Sequence, residues 1–220
     1  MQQCAPHSCL ALILGMILAL SLGIATLGGT LWFFGTNAPL LEAWLDWDAV
    51  PEETGLTAED RAPVAKLIAD AMAGQEKVFQ YKGLFSRQAE THMADCAPLF
   101  RLARTVGLVG FGVFLAALGC CFIWRNWRRA AVGMLIGVGI LVLVILALGI
   151  WGLADFDSLF TAFHKVLFTN DDWLFPAGDL LITLMPVTFF TRCAAVGGGL
   201  WLAVLVLTAG VAILLLRRRS

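Results

Sequence analysis

LFRLARTVGLVGFGVFLAALGCCFIWRNWRRAAVGMLIGVGILVLVILALGIWGL, residues 99–153, holds two apolar runs joined by a basic hinge. The runs are Leu99 to Trp124 and Ala130 to Leu153, and the hinge is Arg125-Asn126-Trp127-Arg128-Arg129. A helix rises about 1.5 Å per residue, so about 20 residues cross a hydrocarbon core about 30 Å thick. Each run is long enough to do so. Two further runs of this kind lie at about Cys9 to Phe34 and about Thr191 to Leu216. The first holds Gly28 and Gly29 but no charged side chain. It lacks a basic n-region and is longer than a signal-peptide core, so it reads as a retained helix. Arg101 and Arg104 place the start of the second run at the headgroups.

The composition agrees with this reading. The chain has 220 residues, of which 60% are hydrophobic and 14% charged, and its mean hydropathy is +0.83. A soluble domain carries about 25% charged residues. The expectation is an all-α polytopic membrane protein, a single membrane domain over residues 1–220. Its transmembrane helices fall at about 9–34, 99–124, 130–153 and 191–216. Segments of about 35–98 and 154–190 form an extracytoplasmic cap of short helices.

Charge orients the chain. All 16 acidic residues fall in the two cap segments, where nine Lys and Arg accompany them, counting the adjoining ends of the spans. The opposite side carries six Arg, in the 125–129 hinge and at residues 217–219, and no acid. Short Arg-rich loops face the cytoplasm. Both termini are therefore expected inside and the cap outside, in contact with membrane lipid. A negative outer face argues against nucleic-acid binding.

Within the first cap segment, Leu40, Leu41, Trp44 and Leu45 share a helical face after Pro39. Trp44 and Trp47 suit the headgroup layer. Thr57 with Asp60 three positions on is a variant capping pair. Val64, Leu67, Ile68, Ala71 and Met72 follow at helical spacing, and Gly74 ends that helix. A third cap helix starts after Ser86 and runs towards Cys96, with Pro98 marking its junction with the second span. In the second segment, Asp157 caps a helix whose stripe is Phe160, Phe163, Val166 and Leu167. Asn170, Asp171 and Asp172 break it in a polar turn. Gly133 and Gly137 form a GxxxG pair, and Gly197-Gly198-Gly199 opens the last span; both suit close helix packing.

His92 and His164 are the candidate chemistry. Imidazole titrates near neutral pH without special perturbation. Both fall on the outer side, each a short way from a span, and neither lies in a polar run. His7 sits in the N-terminal tail and is given no role. The bland reading of a lone helical histidine is structural. Asp95, three residues after His92, can contact and orient it; its bland reading is a solvated acid. Asn170 and Asp171 form a turn, and one of them can position His164 or a polar group of a substrate. Hydrolase and metal signatures are missing from the sequence: there is no GxSxG elbow, HExxH or CxxC. A metal set of His92, His164, Cys96 and an Asp lacks any characteristic spacing. Acids near Cys96 oppose its use as a nucleophile. No spacing pattern supports a Cys96–Cys193 bridge.

Two stretches carry a family resemblance. Residues 84–95, LFSRQAETHMAD, are similar to the HMxD segment that precedes the second span in lipoprotein intramolecular transacylases. Residues 163–173, FHKVLFTNDDW, with Pro176, Asp179-Leu180-Leu181-Ile182 and Pro186, resemble that family's FHxxFFxNDxW…P…DxLI…P signature. Span order and loop lengths match as well. Val187 stands where an acid is expected, Leu167 where an aromatic is usual, and Phe175 where an Asp is common.

The resemblance implies a bacterial cytoplasmic-membrane acyltransferase without a cofactor or metal. It would act on a diacylglyceryl lipoprotein, moving the sn-2 acyl chain to the α-amine of the N-terminal cysteine and leaving a lyso-form product. The substrate brings its own nucleophile, so the enzyme needs a proton shuttle only. An α-amine of pKa about 7.7–8.0 is mostly protonated at pH 7, and an imidazole near 6.5 can relieve it of a proton. His164 is assigned as the base, and His92 binds the oxyanion or protonates the leaving oxygen. Asp95, Asn170, Asp171, Trp173 and Asp179 then support the site or position substrate. The contrasting readings are a non-catalytic four-span scaffold and a membrane metallohydrolase. Oligomeric state leaves no trace in the sequence.

Overall fold

A computed structural model describes residues 6–217 of the chain. The fold is helical: α1 (Pro6–Thr36), α2 (Ala38–Trp44), α3 (Arg61–Ala73), α4 (Arg87–Trp124), α5 (Trp127–Ala154), α6 (Phe156–Leu167), α7 (Leu180–Leu184) and α8 (Val187–Arg217). Short 3-10 turns occupy Glu52–Thr54 and Ala58–Asp60. Four helices, α1, α4, α5 and α8, are long and apolar enough to cross a membrane. His7, Cys4 and the end of the last Arg cluster lie outside the residues whose side chains are described.

The chain divides into two compact units. The first comprises Met1–Gly29, Thr105–Phe156 and Gly197–Ser220. Its packing rests on small residues. A Cβ added to Gly133 would lie 1.9 Å from the Leu12 carbonyl oxygen, and one on Gly15 would lie 1.8 Å from that of Ala130. The GxxxG pair thus lets α1 and α5 meet backbone to backbone, as TM helices without a hydrophobic driving force require. Gly198 and Gly199 differ from expectation: a Cβ on Gly198 would find only Ile145 at 3.9 Å, and one on Gly199 nothing within 4 Å. The indole N–H of Trp201 donates to the Gly23 carbonyl at 2.9 Å, so a buried polar handle is satisfied inside the unit.

The second unit, Thr30–Arg104 and Asp157–Val196, holds the cap. Its core includes Leu41, Val64, Ile68, Phe85, Met93 and Leu184. Asn37 caps α2 through its side chain, and Gly74 ends α3 at φ +72°. A positive φ there suits a residue without a Cβ. Asp60 accepts from the Thr57 amide at 2.8 Å, Tyr81 Oη at 2.6 Å and Lys82 Nζ at 2.7 Å, fastening the loop after α3. Lys82 first, then Tyr81 and Thr57, holds the Asp60 carboxyl well below the ordinary carboxylate range.

Two elements depart from expectation. The third cap helix does not end at Pro98; it continues into the second span as one 38-residue helix with Pro98 inside. Pro98 cannot donate to the Ala94 carbonyl. Burial of Ala89, Met93 and Ala97 along one face holds the helix through that defect. In α6 the buried positions are His164 and, just beyond its end, Phe168, whereas Phe163 and Val166 are exposed. The apolar stripe read from the sequence therefore mixes two faces: Phe160 shares His164's side, and Phe163 and Val166 do not.

Candidate active site

The site is built entirely within the second unit. α4 supplies His92 and α6 supplies His164, and the turn of residues 168–175 closes over both. The imidazole centroids are 6.2 Å apart with planes 26° from parallel. Both rings are buried. At that separation one small group can be touched by both.

His164 is fixed by its own helix. Its Nδ1 lies 2.8 Å from the Phe160 carbonyl oxygen, so Nδ1 carries the proton and donates it there. That bond sets the tautomer and leaves the Nε2 lone pair available. Aromatic rings surround the imidazole: Phe160 at 3.9 Å between centroids, Trp173 at 5.1 Å and Phe168 at 5.5 Å. Burial among them lowers the His164 pKa below 6.5, and the Phe160 bond opposes part of that shift.

His92 has a different setting. Its Nε2 lies 3.5 Å from Cys96 Sγ one turn along α4. Its Nδ1 is buried without a hydrogen-bond partner in the structure. Such a nitrogen is costly unless something pairs with it. Phe168 at 5.0 Å and Phe175 at 5.5 Å flank the ring.

Asp95 does not hydrogen-bond His92. Its Oδ2 instead accepts from Asn170 Nδ2 at 2.7 Å, linking α4 to the turn 75 residues later. Asn170 also shapes the turn itself. Its Oδ1 accepts from the Asp172 amide at 3.1 Å, and its carbonyl accepts from the Trp173 indole N–H at 3.0 Å. Trp173 is buried with its ring beside His164. Asp171 is exposed, and its carbonyl accepts from the Leu174 amide at 3.0 Å. Asp179 caps α7 through the Leu181 amide at 2.9 Å. One contact was missed in the sequence: Gln88 Nε2 reaches the carbonyls of Asp172 at 3.1 Å and Leu174 at 3.0 Å. Its signal was available, because Gln88, His92 and Asp95 fall at i, i+4 and i+7 of one helix face.

Among the described residues, no three His, Cys, Asp or Glu side chains converge as a metal site requires. Cys96 and Cys193 are both free thiols.

Four apolar helices with a helical cap define a polytopic membrane protein. The model of the family described as lipoprotein intramolecular transacylase Lit matches residues 14–190. The chain belongs to that family, and it is a membrane enzyme that transfers an acyl chain within lipoproteins. No curated protein sequence matches it. Two solved structures resemble it, both of the membrane-integral Lit from Bacillus cereus. One shares 19% identity with a TM-score of 0.69, covering 94% of this chain and 92% of that one. The other, a point mutant of the same protein, shares 17% identity with a TM-score of 0.72 and the same 94% and 92% coverage. At such identities the likeness concerns the fold.

Proposed function

We propose that His164 is the general base and His92 its partner in moving the sn-2 acyl chain of a diacylglyceryl lipoprotein to the α-amine of its N-terminal cysteine. The observation carrying this reading is the 2.8 Å bond from His164 Nδ1 to the Phe160 carbonyl, which presents an unprotonated Nε2 beside a second imidazole. The substrate's amine nitrogen attacks the ester carbonyl carbon. His164 Nε2 takes the proton that the nitrogen sheds. The tetrahedral oxyanion collapses and the C–O bond to the sn-2 oxygen breaks. That oxygen receives the proton that His164 accepted, either directly from the imidazolium or relayed through His92. In the relay His92 gives up one N–H proton as it takes another, so both rings end neutral. A new amide and a free glycerol hydroxyl result, so atoms balance with no cofactor. Holding amine and ester together supplies part of the rate by removing entropy in advance.

Asp95, Asn170 and Trp173 keep the two rings in register, while Asp171 and Asp179 support the turn and α7 or contact substrate. The whole chain works as one membrane domain with both termini cytoplasmic and the histidines at the outer leaflet. The segregation of acids from the Arg clusters supports that orientation.

The test is tandem mass spectrometry of a model lipoprotein co-expressed with the enzyme in a host lacking N-acylation. Intact mass stays constant, because the reaction is an isomerisation. Fragments placing one acyl chain on the cysteine nitrogen are expected. Fragments retaining both chains on glycerol, from well-folded enzyme, would contradict the reading.

A further inference from the structure

Gln88, His92 and Asp95 project from one face of α4, and the two flanking residues grip the same turn on either side of the histidine. Asp95 holds its beginning through Asn170 at 2.7 Å. Gln88 holds its end, with one amide nitrogen 3.1 Å from the Asp172 carbonyl and 3.0 Å from that of Leu174. Those carbonyls bracket Trp173, whose ring lies 5.1 Å from His164 and whose indole N–H is tied back to the Asn170 carbonyl. We propose that Gln88 is a positioning residue that sets the His92–His164 separation by pinning Trp173 against the His164 ring.

The chemistry of the amide explains the residue type. A single NH₂ group has two N–H donors, and two carbonyl oxygens need two. Glu has the same shape and no donor on its carboxylate, so it would face both carbonyls with like partial charge. Met has the same reach and nothing to donate. Without the clamp, the 172–174 end of the turn keeps only bonds internal to residues 170–174: the Leu174 amide to Asp171 at 3.0 Å, the Asp172 amide to Asn170 at 3.1 Å and the Trp173 indole to the Asn170 carbonyl at 3.0 Å. Trp173 can then drift from His164. A displacement of 1 Å in a reacting constellation costs as much as ~100-fold, so a loosened support should cost about tenfold. Gln88 touches no reacting atom in this scheme, so its loss affects turnover and leaves substrate affinity alone.

The proposal rests on His164 as base. The experiment uses the full chain with a diacylglyceryl lipopeptide and compares Gln88→Glu, Gln88→Met, Gln88→Arg and His164→Ala. Readouts are kcat, KM and hydrogen exchange of peptides covering residues 169–176. Glu and Met variants should lose kcat about tenfold with KM within about twofold of the unmodified chain, and should exchange faster across the turn. Arg keeps N–H donors for both carbonyls and should restore most of the rate. Full turnover in Glu and Met variants, a rise in KM alone, or slowed turnover with unchanged exchange overturns the proposal. If Glu and Met variants do not fold, the Arg variant decides: near-normal kcat supports the clamp, and a loss as large as tenfold overturns it. An inactive His164→Ala beside fully active Gln88 variants defeats the clamp alone; a fully active His164→Ala defeats the assignment of the base.

Discussion

Replacing Asn170 with Asp should harm the enzyme more than replacing it with Ala, and a second change, Asp95→Asn, should undo the damage. The Asn170 amide donates to Asp95 at 2.7 Å, a charge-assisted bond between segments 75 residues apart. Bonds to charged groups contribute about 1.5–3 kcal/mol when well shielded. Asn170 is exposed, so water competes and about 1 kcal/mol remains. At 1.36 kcal/mol per decade this is about fivefold in turnover if the bond holds the turn in its reactive position. Asn170→Ala forfeits that factor. Asn170→Asp sets two carboxylates against each other and should lose clearly more. The swapped pair, Asp95→Asn with Asn170→Asp, reverses donor and acceptor and should return to within about twofold of the original rate. The assay is kcat from acyl transfer on a lipopeptide, with thermal unfolding in parallel. An Asp variant no worse than Ala, or a swap that restores nothing, would refute the claim that this bond positions the turn.

Beneath the substrate amine's own titration at about 7.7–8.0, the acid limb of kcat/KM should carry a second break below pH 6.5, because burial lowers the His164 pKa and a neutral ring is the working form. Activity is then lost more steeply as pH falls through the folded-state His164 value; a lower break at or above 6.5 in a pH–rate profile speaks against His164 as base. Gly133→Ala should destabilise by about 1–3 kcal/mol, since its Cβ would sit 1.9 Å from the Leu12 carbonyl, whereas Gly199→Ala should be neutral or stabilising in the same melt. Asp60→Asn should lower the melting temperature by unfastening Lys82 and Tyr81. The depressed Asp60 pKa means that its stabilisation is complete above the unfolded carboxylate value and fades as pH falls towards the folded one. The melting difference should accordingly shrink below about pH 4; a difference that grows there contradicts the assignment.

The spans were legible because an uninterrupted apolar run has one solution in lipid, a helix with its backbone satisfied internally. GxxxG at Gly133 and Gly137 was legible for a related reason: small residues at four-residue spacing make a groove that another backbone can enter. The continuity of α4 through Pro98 was not. Local chemistry argues for a break there, and only the burial of Ala89, Met93 and Ala97 against distant segments overrules it. The buried side of α6 was equally hidden. In a soluble protein an apolar pair such as Phe163 and Val166 would mark a core face; in a membrane protein apolar residues need not point inward, and here both are exposed. Asp95 shows the same limit at the candidate site. Its spacing from His92 suggested a local pair, but its hydrogen-bond partner is Asn170 in the second cap segment. Periodicity reports neighbours along a helix and carries no information about a turn 75 residues away. The histidines themselves were legible through their placement outside the apolar runs and through the motif around them. Gln88 is inconspicuous in the sequence because glutamine on a helix is usually just solvated, and its carbonyl partners lie more than 80 residues away.

The account stands most directly on acyl-chain location after reaction with His164→Ala and His92→Ala enzymes, each shown to be folded and membrane-inserted. With His164→Ala, fragment spectra should show the lipopeptide with both chains still on glycerol and the cysteine amine free, and His92→Ala should transfer far more slowly than the unmodified chain. An N-acylated cysteine formed at the normal rate by His164→Ala would contradict the central claim.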